Sequence, residues 1–146
     1  MKIKLEINAK YKELEIHICH EKNAEEVAVS YQTIKDAFDT CLLAYDGTEV
    51  VPLSSHQIIR IFSEDKKVYM ATDKGQYRLR ERLYELEEKL DGTRFLRISN
   101  SEIVILKKIE RLDTSFAGTV KMFLKGNMET YVSRRYVAKI KKALGV

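Results

Sequence analysis

The chain has 146 residues, 33% of them charged and 45% hydrophobic, a length that holds one well-buried core with a short extension but not two large domains. That composition excludes a disordered polymer. The net charge of +4 is unevenly spread: residues 1–50 carry six lysines against ten acids, a net of −4, whereas residues 51–146 carry 20 basic against 12 acidic residues, a net of +8. Such asymmetry suits a polyanion-binding module joined to a segment that does not touch the polyanion. No run of 18 apolar residues occurs, and the start "MKIKLEINAK" alternates where a signal peptide would be continuously apolar, so a cytoplasmic protein is expected.

"KIKLEIN" and "ELEIHIC" alternate apolar and polar residues, which predicts an antiparallel hairpin turned at "AKYK". In "NAEEVAVSYQTIKDAFD" the spacing becomes helical, because Val27, Tyr31, Ile34 and Phe38 share a face and Asn23 can cap the N-terminus. Residues 1–39 therefore read as a small β-β-α unit. From Thr40 short strands follow: "CLLAYD", "TEVVPL", "QIIRIFSE", "KKVYMAT" and "GQYRLR", with turns at Asp46-Gly47, Glu64 to Lys67 and Lys74-Gly75. Pro52 belongs at a sheet edge or strand end. In "LRERLYELEEKLDG" Leu79, Leu83, Leu86 and Leu90 form the apolar stripe of a short helix, with Gly92 as candidate C-cap. Cys19 and Cys41 stand in apolar runs and are expected as reduced thiols packed like small hydrophobes.

"RFLRISNSEIVILKKI", residues 94–109, alternates on both sides of Ser99-Asn100-Ser101, as strands buried on one face do. A tight hairpin there would favour Asn-Gly, since both central residues need positive φ. Three hydrogen-bonding side chains without glycine fit a corner that presents groups to a ligand, or else a polar turn with incidental serines. The strands "KKIERLDTS", "GTVKMFLK" and "METYVS" come next. A closing helix in "SRRYVAKIKKALGV" can be capped by Ser133, with Val137, Ile140 and Leu144 on one face and Arg134, Arg135, Lys139, Lys141 and Lys142 elsewhere.

No phosphate-cradling glycine loop, His-Glu-x-x-His, Cys-x-x-Cys or Gly-x-Ser-x-Gly occurs. His17, Cys19 and His20 read better as ordinary strand residues than as metal ligands, because one of them points away from the other two. The acids of "ERLYELEEKL" interleave with basic residues on a solvated helix face. No enzyme activity, metal or cofactor is expected. Three clusters instead combine positive charge with hydrogen-bonding groups: Asp65-Lys66-Lys67; Ser99-Asn100-Ser101 with Lys107 and Lys108 nearby; and Ser133-Arg134-Arg135 ahead of Lys139. Lysine and arginine neutralise phosphates, Asn pairs with adenine and Arg grips guanine, so these clusters read either as a nucleic-acid surface or as a solvated one.

The order of "IIRIFSEDKKVYMATDKGQYRLRERLYELEEKL", "RFLRISNSEIVILKKIERL" and "GNMETYVSRRYVAKIKKAL" resembles the LytTR family of bacterial DNA-binding domains over about residues 40–146. It includes the Leu-x-x-Leu-Glu helix, the Phe-x-Arg-Ile-x-x-Ser-x-Ile-Val run and the Val-Ser-Arg-x-Tyr segment. The resemblance implies an α+β fold: an elongated, mostly antiparallel β domain at 40–146, preceded by the unit at 1–39, that inserts loops rather than a recognition helix into the major groove of double-stranded DNA. Carried over by position, the contacts become Lys66 or Lys67, Asn100 with Ser101, and Arg135 with Arg134. The family commonly has His at position 99 and Asn at position 105, where this chain has Ser99 and Ile105; the first departure bears on base preference and the second on how the strand is held.

Residues 1–39 are too few for the phosphate-receiver domain that many members carry. The layout looks like members encoded beside a small membrane protein that restrains them, so the acidic N-terminal unit is expected to serve dimerisation or that restraint. The resulting expectation is a sequence-specific transcriptional regulator acting as a homodimer on a repeated site. The alternative is a protein-interaction module whose basic half binds polyanions without sequence preference.

Overall fold

The computed structural model describes residues 6–12, 15–22, 25–37, 41–115 and 117–146, and the chain divides into two compact units, Met1–Phe38 and Asp39–Val146. In the first unit, helix α1 spans Glu25–Ala37, with Glu25 and Glu26 in its first turn and Lys35 in its last, each sign matching the helix dipole. The predicted cap Asn23 lies outside the described residues, as do parts of both predicted N-terminal strands. The described parts, residues 6–8 and 15–19, are not in strands; two strands alone are marginal in water.

The second unit is built from β1 (Cys41–Asp46), β2 (Glu49–Ser54), β3 (Ile58–Glu64), β4 (Lys67–Thr72), β5 (Gly75–Leu79), α2 (Leu83–Lys89), β6 (Phe95–Ser99), β7 (Glu102–Ile105), β8 (Ile109–Asp113), β9 (Val120–Leu124), β10 (Met128–Val132) and α3 (Arg134–Leu144). Single 3-10 turns at Ser55–Gln57 and Leu106–Lys108 lead into β3 and β8. One sheet has seven strands in the order β2-β1-β5-β4-β3-β7-β6 and the other has three, β10-β9-β8, with antiparallel pairing in both. Pro52 sits on β2, an edge strand, where a missing N–H costs no ladder bond.

Two hydrophobic cores flank the large sheet. Leu42, Ile58, Ile61, Met70, Leu79, Leu83, Leu86, Phe95, Ile103 and Ile105 belong to the first. Ile59, Leu96, Ile98, Val104, Met122, Leu124, Val132 and Ile140 form the second. Strands β6 and β7 thus serve both, and all four residues of β7 are buried. The expectation of one buried face for residues 94–109 is corrected here, because apolar residues of β6 and β7 enter both cores, β9, β10 and α3 packing on Leu96, Ile98 and Val104, and the polar Glu102 is itself covered by Thr130 of β10.

The stripe Leu79, Leu83, Leu86 and Leu90 does converge on one core, but Leu79 belongs to β5 and the helix is only seven residues long. Gly92 is not its cap. The helix closes at Leu90 in extended conformation, and Asp91 then turns the chain by accepting from Thr93 N at 2.9 Å and Thr93 Oγ1 at 2.8 Å. Those bonds, the backbone one first, hold the Asp91 carboxyl below the usual carboxylate range. Ser133 occupies the N-cap position of α3, yet its hydroxyl makes no capping bond. Its amide donates to Ile98 O at 2.9 Å and its carbonyl accepts from Tyr136 N at 2.8 Å, docking the helix start on β6.

Cys19 and Cys41 are both free and exposed, contrary to the expectation that they pack as small hydrophobes. Cys41 is on the outward-pointing side of β1, whose alternate residues Leu42 and Ala44 are the buried ones.

Where the two sheets meet, Glu102 is 6% exposed. Its carboxylate accepts from Arg60 Nη1 at 3.2 Å and Thr130 Oγ1 at 2.6 Å, linking β7 to β3 and β10. An acid buried without these donors would be strongly unfavourable. Glu102→Ala strands the Arg60 guanidinium and is expected to cost about 3 kcal/mol, the lower end for a broken buried pair because Arg60 retains some solvent contact; Thr130→Val removes one charge-assisted bond and should cost about 1.5 kcal/mol. Urea unfolding of the three proteins measures both.

Candidate nucleic-acid interface

Strand register brings the sequence clusters together. Phe62 of β3 pairs with Glu102 of β7 in antiparallel register, and Ser63 N donates to Ser101 O at 2.8 Å. The β3–β4 turn and the β6–β7 corner therefore lie side by side at one end of the large sheet.

The β3–β4 turn is closed by the pair Glu64 and Lys67, and its central residues Asp65 and Lys66 have φ of 49° and 62°. These are the torsions of a type I′ turn, normally given to Asn-Gly. A side chain in this region costs roughly 1–2 kcal/mol, so a lysine at the apex is a stability cost that leaves a cation projecting from the sheet end. Lys66 is that apex residue, whereas Lys67 begins β4.

The β6–β7 corner avoids positive φ by another route. Ser99 pairs with Glu102, leaving Asn100 and Ser101 as the turn, and the register shifts between Arg97 and Ser99. Neither turn residue has positive φ. The bulge supplies the local twist that a type I′ turn would otherwise provide, and so removes the need for glycine. Ser99 Oγ accepts from Ser101 N at 3.2 Å, a hydroxyl-closed turn. Arg97 then fastens the corner: Nε donates to Ser99 O at 2.6 Å, Nη2 to Asn100 O at 2.7 Å and Nη1 to Glu87 Oε2 of α2 at 2.7 Å. The two serines thus serve the turn itself, while the Asn100 side chain is free to face outward.

Outward, Asn100 meets α3. Arg135 Nη2 donates to Asn100 Oδ1 at 2.5 Å and to Tyr136 Oη at 2.9 Å. Two of the three predicted clusters are therefore in direct contact, and the third is beside them. Arg134 turns away, its Nε donating to Gly118 O at 3.3 Å. Lys139 is exposed one turn after Arg135 on the same helix face. Arg134 and Arg135 occupy the positive end of the α3 dipole, with no acid in the first turn. That placement disfavours the free helix and favours an anion held there.

Lys107 and Lys108 do not join this site. They lie in the 3-10 turn after β7, at the far end of a strand whose first residue adjoins the corner, on the order of 13 Å away at the usual strand rise. Sequence reasoning also missed Arg97 and Tyr136 as positioning residues. The signal for Arg97 was a single arginine between apolar residues of a strand. His17 pairs with Glu15 at 2.8 Å and His20 Nδ1 lies 2.7 Å from Lys22 O; among the described residues no group of three metal-ligating side chains gathers. No helix among them is long and apolar enough to cross a membrane.

The LytTr DNA-binding domain family matches residues 48–145, and the chain belongs to that family. An uncharacterised HTH-type transcriptional regulator of Staphylococcus aureus strain MSSA476 is 35% identical over 147 aligned positions, covering 100% of this chain and 99% of the relative. A similarly named protein of strain MRSA252 is 34% identical with the same coverage. A solved LytTr DNA-binding domain from Bacillus cereus shares the fold at a TM-score of 0.70 and 20% identity, over 73% of this chain and 98% of that one. A helix-turn-helix is not the architecture of the second unit, where β6 to β10 separate α2 from α3 and, among the described residues, no two helices are joined by a short turn.

Replacing Lys66 by Gly relieves the turn strain and should stabilise the fold by about 0.5–1 kcal/mol while weakening DNA binding, as read by urea unfolding and fluorescence anisotropy on one preparation. Arg97→Lys keeps the charge but cannot span two carbonyls and a carboxylate. Faster hydrogen exchange at residues 99–101 is expected, with the amides of β9 unchanged.

Proposed function

We propose that this protein is a sequence-specific transcriptional regulator that binds double-stranded DNA as a dimer on a repeated site, inserting the β6–β7 corner and the start of α3 into the major groove. The observation that carries this reading is the contact between Arg135 and Asn100. It sets side by side the two residue types best suited to guanine and adenine edges, on a rigid corner flanked by Lys66, Lys67 and Lys139 for phosphates, with Arg134, turned toward Gly118 O, placed for a phosphate further along the helix start. Ser99 and Ser101 shape the corner, and Ser133 anchors α3 through its backbone. Ser99, in a position where the family commonly has histidine, leaves this corner with a shorter side chain. Lys107 and Lys108, away from the corner, are left with a role on a more distant phosphate.

The N-terminal unit supports a role in assembly. Ile16, Ile18, Val27 and Tyr31 line an open surface depression of about 510 Å³ together with His17, Cys19 and Ala28, and Ile7 and Val29 are exposed. Apolar surface of this kind is suited to a second copy or to a small membrane protein that restrains the regulator. The competing reading is an interaction module built on this unit, with the basic half binding polyanions indiscriminately.

Anisotropy titration against the region upstream of its own gene and against a scrambled duplex decides between them: the first reading expects at least a hundredfold preference that persists as salt weakens both, and equal affinity overturns it. Arg135→Ala should cost roughly 1–3 kcal/mol and relax discrimination at one base position, whereas Lys139→Ala should weaken all sequences alike. For assembly, Val29→Glu with Tyr31→Glu in the full chain should shift sedimentation from dimer to monomer; an unchanged sedimentation profile removes α1 from the dimer interface.

A further inference from the structure

Strand β5 returns to the same sheet end as the recognition corner. Val68 pairs with Leu79, so Arg80 and Arg82, which follow β5, arrive beside Lys66 and Lys67. These residues line a shallow cleft of about 180 Å³ with Arg78 and Glu81. All five cations are exposed. Among the described residues none of the five is in an ion pair, and the one acid lining the cleft, Glu81, is engaged by Lys89 Nζ at 3.6 Å. Glu64 stands across from Lys67 in register and Asp65 precedes the apex, but neither forms an ion pair with these cations. Arg80 is positioned by stacking over the Tyr45 ring, its Cζ 4.0 Å from the centroid, which orders the guanidinium while leaving its N–H groups for another acceptor.

Five like charges gathered without ion pairs among the described residues repel one another, a cost to folding that the stacking of Arg80 on Tyr45 offsets only in part. We propose that this cleft is a clamp for the DNA sugar-phosphate backbone outside the bases read by the corner, with Arg78, Arg80 and Arg82 extending the footprint beyond β3, β4 and α3. The inference rests on the DNA-binding reading above. Duplex DNA is the occupant because the cleft shares Lys66 and Lys67 with the recognition end, so a backbone that enters the corner runs on into the same field. The clamp adds affinity and salt dependence without sequence information, since phosphate contacts position and base contacts specify.

The test uses the full chain carrying Arg78→Gln and Arg82→Gln together, leaving Arg80 on its ring. On a random duplex and on the upstream duplex alike, the plot of log Kobs against log salt should become shallower by about 0.9 for each phosphate no longer neutralised, with the preference for the upstream duplex over a scrambled one unchanged. The pair Arg78→Lys and Arg82→Lys, which keeps the charge, should restore the wild-type slope. An unchanged slope in the glutamine protein overturns the clamp, as does an equally shallow slope in the lysine protein, which would assign the effect to packing. A wild-type protein without preference for the upstream duplex would overturn the sequence-specific reading instead, and the slope on random duplex would still report on the clamp.

Discussion

Strand β7 has no face in water. Its residues Ile103 and Ile105 point into one core and Val104 into the other, and its first residue, Glu102, is a buried acid. A strand in that position cannot slide by one residue, because slipping would exchange the two cores' side chains and draw the carboxylate away from Arg60 and Thr130. The corner just before it therefore inherits a fixed register from both sheets. This double burial is what turns a two-residue turn into a rigid projection.

Rigidity is then passed along a chain of polar contacts. Glu87 of α2 holds Arg97, Arg97 holds the carbonyls of Ser99 and Asn100, and Asn100 holds Arg135 at the start of α3. Tyr136 supports Arg135 from the other side. Ordering such side chains in the free protein reduces what must be ordered when a ligand binds. Asn100 and Arg135, preset in this manner by their mutual hydrogen bond, would give up little freedom on meeting a ligand.

The sheet end also shows where stability has been given up. A lysine at positive φ, two arginines at the positive end of a helix dipole and five cations without ion pairs around one cleft each oppose folding slightly. Local conflicts of this kind gather at functional sites. They are concentrated at one end of one sheet, and the cores at either side are conventionally apolar.

Much of the fold was legible in the sequence because alternation and helical spacing are local properties: the strands from Cys41 to Leu79, the stripe from Leu83 to Leu90 and the amphipathic α3 could all be read from neighbours in the chain. The candidate site was legible as three clusters of residue types, and the motif order from Leu83 to Tyr136 pointed to the LytTR family. What tertiary structure alone decided was proximity. Lys107 and Lys108 follow the corner in sequence yet stand at the far end of β7, while Arg135, 35 residues from Asn100, touches it. Arg78, Arg80 and Arg82 looked like the polar positions of a strand and a helix start, and only the pairing of β4 with β5 put them beside Lys66. Sequence determines which faces are apolar and which residues carry charge, but strand pairing across the sheets sets which of those charges meet, because antiparallel register brings distant residues within bonding distance and carries near neighbours apart at about 3.3 Å per residue.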